Sequence, residues 1–246
     1  MTVQKASRMV VPNLRHLNFA LVYESCFVAT GVFSFFLWSL IPVVAHGQSG
    51  VTIHHQVTLG DAPVVLGEWQ KSDSLVSIRI DKLRWYVSLP PAGKTGSKVW
   101  LMDLSDSSSL DQQMSRPINN KISLLFGIDS AIQIGGVGTG ALDPQRGMYW
   151  TWQTGYVQWK MEGAIRVNGE EHPLELHLGG FDGATKSQTM LSDCLVYSTT
   201  NSVIAQWDLS PFIAQILDQK KYGVMSPSHI ARDYCRIIAN GVIFKK

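Results

Sequence analysis

The 246-residue sequence has few charges, few cysteines and no catalytic signature. Charged residues make up 16%, and 21 Lys and Arg against 19 Asp and Glu leave a net charge of +2. No basic stripe is interleaved with the aromatics, so a nucleic-acid groove, which needs a cationic track and stacking rings together, is excluded. There is no G-x-S-x-G and no Cys/His enzyme pattern, and no carboxylates are paired for acid/base work, so an enzyme is not expected. Metal spacings such as H-E-x-x-H and C-x-x-C are also missing. The Gly135-Gly136-Val137-Gly138 cluster is not followed by a helical pattern, which removes the phosphate-loop reading. There is no internal repeat and no low-complexity tract.

The N-terminus does carry a long apolar run. Lys5, Arg8 and Arg15 precede an apolar stretch from Phe27 to Ala45, broken near its end by Pro42 and followed by small residues. That order predicts a secretory signal peptide over 1–45 and an exported domain over 46–246, in the periplasm or secreted. The run is also long enough for a membrane anchor. Cleavage fits before His46 or before Gln48, and the former would make His46 the amino-terminal residue. Removing 1–45 takes away three basic residues and Glu24, leaving a formally neutral chain. Of the three cysteines, Cys26 goes with the leader. Cys194 and Cys235 remain, as one disulfide in an oxidising compartment, as buried thiols, or as soft ligands.

The exported part reads as strands. Val51 to Leu59 alternates, placing His54 and His55 on opposite faces. From Val76 to Leu89 the apolar parity switches between Ile80 and Leu83, which predicts a bulge near Asp81-Lys82. Lys98 to Leu104 returns as a hairpin partner, and Lys121 to Ile128 is a further strand. Asp129 to Arg146 is expected to be a long surface loop. Asn168-Gly169 marks a tight hairpin. Leu191 to Tyr197 and Val203 to Leu209 are expected to form a last hairpin. Ser210-Pro211 and Ser226-Pro227 have helix-start chemistry, with the second helix ended by Asn240-Gly241. The expected fold is all-β: an antiparallel β-sandwich with one or two short C-terminal helices.

The densest aromatic run is Gly147 to Gly163, where Met148, Trp150 and Trp152 share one strand parity and Val157, Trp159 and Met161 the other. The change falls at Thr154-Gly155, which suggests a turn or bulge. Within it and just before, LDPQRGMYWTWQTGYVQWKMEG resembles the signature of the MbnP-like family of secreted bacterial proteins. Leu83-Arg84-Trp85-Tyr86-Val87-Ser88, Leu101-Met102-Asp103 and His177-Leu178-Gly179-Gly180 extend the resemblance from about Val51 to the C-terminus.

That resemblance implies an exported, non-catalytic copper-binding protein, in some members matured when a dihaem MbnH/MauG-type partner oxidises a tryptophan to kynurenine. Kynurenine presents an aniline nitrogen and a ketone where the indole stood. The candidate ligands are His177, in the family-like His-Leu-Gly-Gly segment, then His54 or His55, with Met148 as a soft donor; each also has an ordinary reading as a hydrogen-bonded histidine or a core methionine. The candidate oxidised tryptophans are Trp150, Trp152 and Trp69. Trp85, Trp100, Trp159 and Trp207 sit in apolar strand patterns and read as core. The alternative is a secreted interaction module with no metal role, its aromatics packing and its glycine loop a partner surface.

Overall fold

The computed structural model describes residues 50–90, 97–115, 119–191, 193–195 and 201–245; the leader 1–45 and His46 lie outside them. Strands are numbered in chain order. The smaller sheet holds β1 (Val51–Leu59), β2 (Ala62–Pro63), β6 (Asp111–Met114), β14 (Ser202–Asp208) and β16 (Val242–Lys245). The larger one is centred on β4 (Val76–Ser88), β10 (Gly155–Val167) and β11 (Glu170–Gly179). Around these lie β3 (Trp69–Lys71), β5 (Val99–Asp103), β8 (Leu125–Phe126), β9 (Tyr149–Thr151), β12 (Thr189–Met190) and β15 (Gly223–Val224). A detached pair joins β7 (Lys121–Ile122) to β13 (Cys194–Leu195). Among the described residues no helix is long and apolar enough to cross a membrane.

Alternation builds the interior. Val51, Ile53, His55, Val57 and Leu59 turn inward from β1, and Val203, Ala205 and Trp207 from β14. Ile78, Ile80, Leu83, Trp85 and Val87 of β4 share one hydrophobic cluster with them, together with Trp159 and Met161 of β10 and three leucines of β11. At its centre Trp85, Trp159 and Trp207 have ring centroids 5.3–6.2 Å apart, wholly buried, as their apolar strand positions predict. Burying side chains of this size contributes on the order of 2–3 kcal/mol each.

The bulge expected near Asp81-Lys82 is present. Glu162 faces Lys82 and Gly163 faces Ile80, so Asp81 is the extra residue that resets the inward parity of β4. Asn168 (φ 52°) and Gly169 (φ 87°) both take the left-handed conformation that a two-residue hairpin turn needs.

Three expectations are corrected. The sheets are mixed: β14 runs parallel to β1 and β15 parallel to β11. The expected hairpin of Leu191–Tyr197 with Val203–Leu209 does not form, because β14 pairs with β1 and β16 while Cys194–Leu195 pairs with β7. Asn240-Gly241 ends α3 as expected, and beyond it the chain returns as β16. Finally, the glycine-rich stretch is not a bare loop. It contains α1 (Ser130–Ile134) and covers a second small core of Tyr86, Ile128, Met148, Tyr156 and Val157 on the outer face of the larger sheet. Two hydroxyls pin it: Tyr86 donates to the Ala141 carbonyl at 3.0 Å, and Tyr156 donates to the Leu142 carbonyl at 2.8 Å.

The helices fall where the sequence placed them. α2 (Ser210–Gln219) has Pro211 in its first turn. α3 (His229–Asn240) starts two residues later than expected, because Ser228, not Ser226, caps it by accepting from Ala231 N at 3.1 Å.

Candidate metal site

Among the described residues, the polar face of β10 and β11 brings two of the sequence candidates, His177 and Trp150, to one strand. Leu174, Leu176 and Leu178 point inward, so His177 and Gly179 point outward. Across the hairpin His177 pairs with Lys160, and its Nε2 lies 2.8 Å from Glu162 Oε1. Glu162 is a hub: Lys82 donates to Oε2 at 2.8 Å, and Lys160 Nζ is 3.2 Å from Oε1. Lys160 also donates to the Gly147 carbonyl at 3.2 Å, tying the start of the aromatic segment to this face.

Gly179 makes room for Trp150. A Cβ on Gly179 would lie 2.8 Å from both Trp150 Cζ3 and the Tyr156 carbonyl oxygen, so the indole rests on β11 at Gly179, two residues along from His177. Substituting Gly179→Ala is expected to push that ring aside and cost about 1–3 kcal/mol. Unfolding curves check the cost, which includes the clash with the Tyr156 carbonyl, and the near-ultraviolet tryptophan signal checks the ring; an unchanged signal would place the indole elsewhere.

The electrostatics favour a neutral imidazole. Burial opposes ionisation of Glu162, but the bonds from Lys82, His177 and Lys160 outweigh it and hold its pKa at about 2. Burial lowers the His177 pKa, and the nearby Lys160 ammonium adds to that against the raising effect of Glu162. A neutral ring facing a carboxylate carries its proton on Nε2, which leaves the Nδ1 lone pair without a partner among the described residues. A carboxylate that fixes one nitrogen so that the other can ligate is the usual second layer of a histidine metal ligand.

The remaining candidates are scattered. His54 faces out from the smaller sheet, its Nδ1 2.7 Å from Asp111. His55 is a core histidine at 2% exposure, with Nε2 bonded to Gln112 and Nδ1 to Trp207, so neither nitrogen is free for a metal. Met148 is 1% exposed inside the second core. Trp152 does not share its burial: β9 ends at Thr151, and Trp152 sits in the following turn, 77% exposed. Trp69 lies toward the other end of the larger sheet, with the guanidiniums of Arg166 and Arg79 at 4.2 and 5.1 Å from its ring centre. The candidate disulfide partners are Cys194 and Cys235. Cys235 is a free thiol buried on α3, its pKa pushed up by that burial; the side chain of Cys194 lies outside the described residues.

For copper, these residues make half a site. His177 supplies one oriented imidazole nitrogen, but among the described residues no group of three His, Cys, Asp or Glu is placed to hold a metal ion. Lys82 and Lys160 add positive charge beside it. What sequence reasoning missed is Glu162, which the closing Glu-Gly of the aromatic segment contains.

A family model described as MbnP matches residues 48–226. Among solved structures, MbnP from Methylosinus trichosporium is similar at 11% identity and a TM-score of 0.45, covering 67% of this chain and 77% of that one. No curated protein matches the chain. With the family's model spanning most of its length, this β-sandwich-like chain belongs to the MbnP family.

Proposed function

We propose that this protein is an exported, non-catalytic copper-binding protein of the periplasm or cell exterior, whose metal site is completed by oxidation of Trp150 to kynurenine by a dihaem partner. The observation that carries the reading is the His177 imidazole, held by Glu162 through Nε2 on the strand face where the Trp150 indole lies over Gly179, two residues along. Copper accepts imidazole nitrogen. An aniline nitrogen and a ketone at position 150 would supply the donors that the unmodified face lacks. Trp152 is the easier of the two for a partner to reach, but it lies in the turn beyond this face.

The mature protein, isolated from its own host with the neighbouring genes expressed, is expected to begin at His46 or Gln48. Its peptide containing Trp150 is expected to carry the kynurenine mass change, located by fragmentation. Intact tryptophans throughout would remove the oxidation step, and a retained leader would remove export. A second reading, a secreted interaction module, is favoured by Trp152, Ile134 and Val137, which are 77%, 74% and 62% exposed. It is distinguished by failure to bind copper in either form.

A further inference from the structure

The hydrogen-bond roles around His55 are fixed by elimination. An indole nitrogen only donates, so Trp207 Nε1, 3.0 Å from His55 Nδ1, makes that nitrogen the acceptor. The proton of the neutral ring is therefore on Nε2, which donates to Gln112 Oε1 at 2.9 Å. Flipping the amide would set N–H against N–H. Gln112 Nε2 must then be a donor, and it is buried without a partner. Trp85 Nε1 and Trp159 Nε1 are buried without partners as well.

All three orphans are donors in one interior. The His55 ring, bonded to Gln112, lies 6.3 Å from Trp85, and Trp85 lies 5.5 Å from Trp159. No amide flip or rotamer exchange lets one donor satisfy another, so the missing element is an acceptor. Leaving such groups bare forfeits the hydrogen bonds they made to water in the unfolded chain, whereas a bridging water restores them at a modest cost in its own freedom. An anion is disfavoured, because Gln112, Trp85 and Trp159 offer no positive charge to offset the desolvation of a buried ion.

We infer that the sandwich core encloses an ordered water molecule, accepting from Gln112 Nε2 and from the indole N–H of Trp85 or Trp159. It is a polar pin between the facing sheets, since Gln112 belongs to the smaller sheet and both indoles to the larger.

The test uses the intact protein labelled with ¹⁵N, its indole resonances assigned through Trp85→Phe and Trp159→Phe. In the wild type, the indole proton of Trp85 or Trp159 is expected to show a nuclear Overhauser effect to a long-lived water, and that of Trp207 none. A high-resolution crystal structure is expected to show a water peak within hydrogen-bond distance of Gln112 Nε2 and that indole. Absence of both the water contact and the density overturns the inference and assigns the indole protons to neighbouring ring faces. Density that follows the halide in the crystal buffer overturns it in favour of an anion.

Discussion

Acidification from pH 6.5 to pH 4 is expected to remove about 3 kcal/mol of stability through His55 alone. Burial is the main cause: it lowers the His55 pKa from 6.5 to about 4, against the smaller raising effects of the Gln112 hydrogen bond and of Asp111. The sign follows from proton counting. Between those two values the unfolded chain binds a proton that the folded chain refuses, so stability is complete above 6.5 and falls as the pH drops toward 4. Protonation also removes the Nδ1 lone pair that accepts from Trp207, which leaves another indole donor bare. Denaturant unfolding across this range measures it. His55→Gln is expected to flatten the slope of stability against pH in the same window; an equal slope in both proteins would assign the acid response to other groups. Glu162 acts in a lower window, from 4.5 down to about 2, where protonating it releases Lys82, Lys160 and His177.

Gly163→Ala is the second large effect, at about 3 kcal/mol of lost stability, near the top of the range for forced overpacking. A Cβ there would lie 2.0 Å from the Arg79 carbonyl oxygen and 3.1 Å from Ile80 Cα. Those are backbone atoms of the adjoining β4, so no rotamer change relieves the clash. The site is also the register shift that lets Asp81 bulge out, so displacing β10 there disturbs the alignment that carries Trp159 inward and Glu162 outward. Equilibrium unfolding checks the value, and a change below about 0.5 kcal/mol, typical of an unconstrained surface site, would contradict it.

The contrast between Gly163 and the C-terminal region shows which parts of the fold local chemistry dictates. Parity switches, turn pairs and caps act within a few residues, so the bulge at Asp81, the Asn168-Gly169 hairpin and both C-terminal helices were readable. The parallel pairing of β1 with β14 joins segments about 150 residues apart, and nothing local encodes it. Likewise β16 is four residues long and takes its meaning from the β14 edge it covers. Strand alternation puts Met148 and Trp152 on one face only if it continues past Thr151, where the chain already turns.

The site was half legible for a similar reason. His177 stood out by the resemblance of its segment, and Trp150 by its place in the aromatic run. Glu162 was within reach of counting: a two-residue turn at Asn168-Gly169 sets Val167 opposite Glu170, hence Lys160 opposite His177, with Glu162 its diagonal neighbour. What could not be counted was Gly179 as the gap that seats Trp150, since β9 reaches it from outside that hairpin. Nor could the sequence say that His55, one residue from His54, has both nitrogens spent inside the core.

Copper titration of the protein purified in oxidised and unoxidised forms, beside His177→Ala in the same two forms, tests the central claim most directly. The account predicts tight stoichiometric binding by the oxidised wild type, weak binding by its unoxidised form, and loss of at least about tenfold in affinity when His177 is removed, the scale for a ligand or its orienting partner. Equal copper affinity in the oxidised wild type and the His177→Ala variant, or no binding by the oxidised wild type, would contradict it.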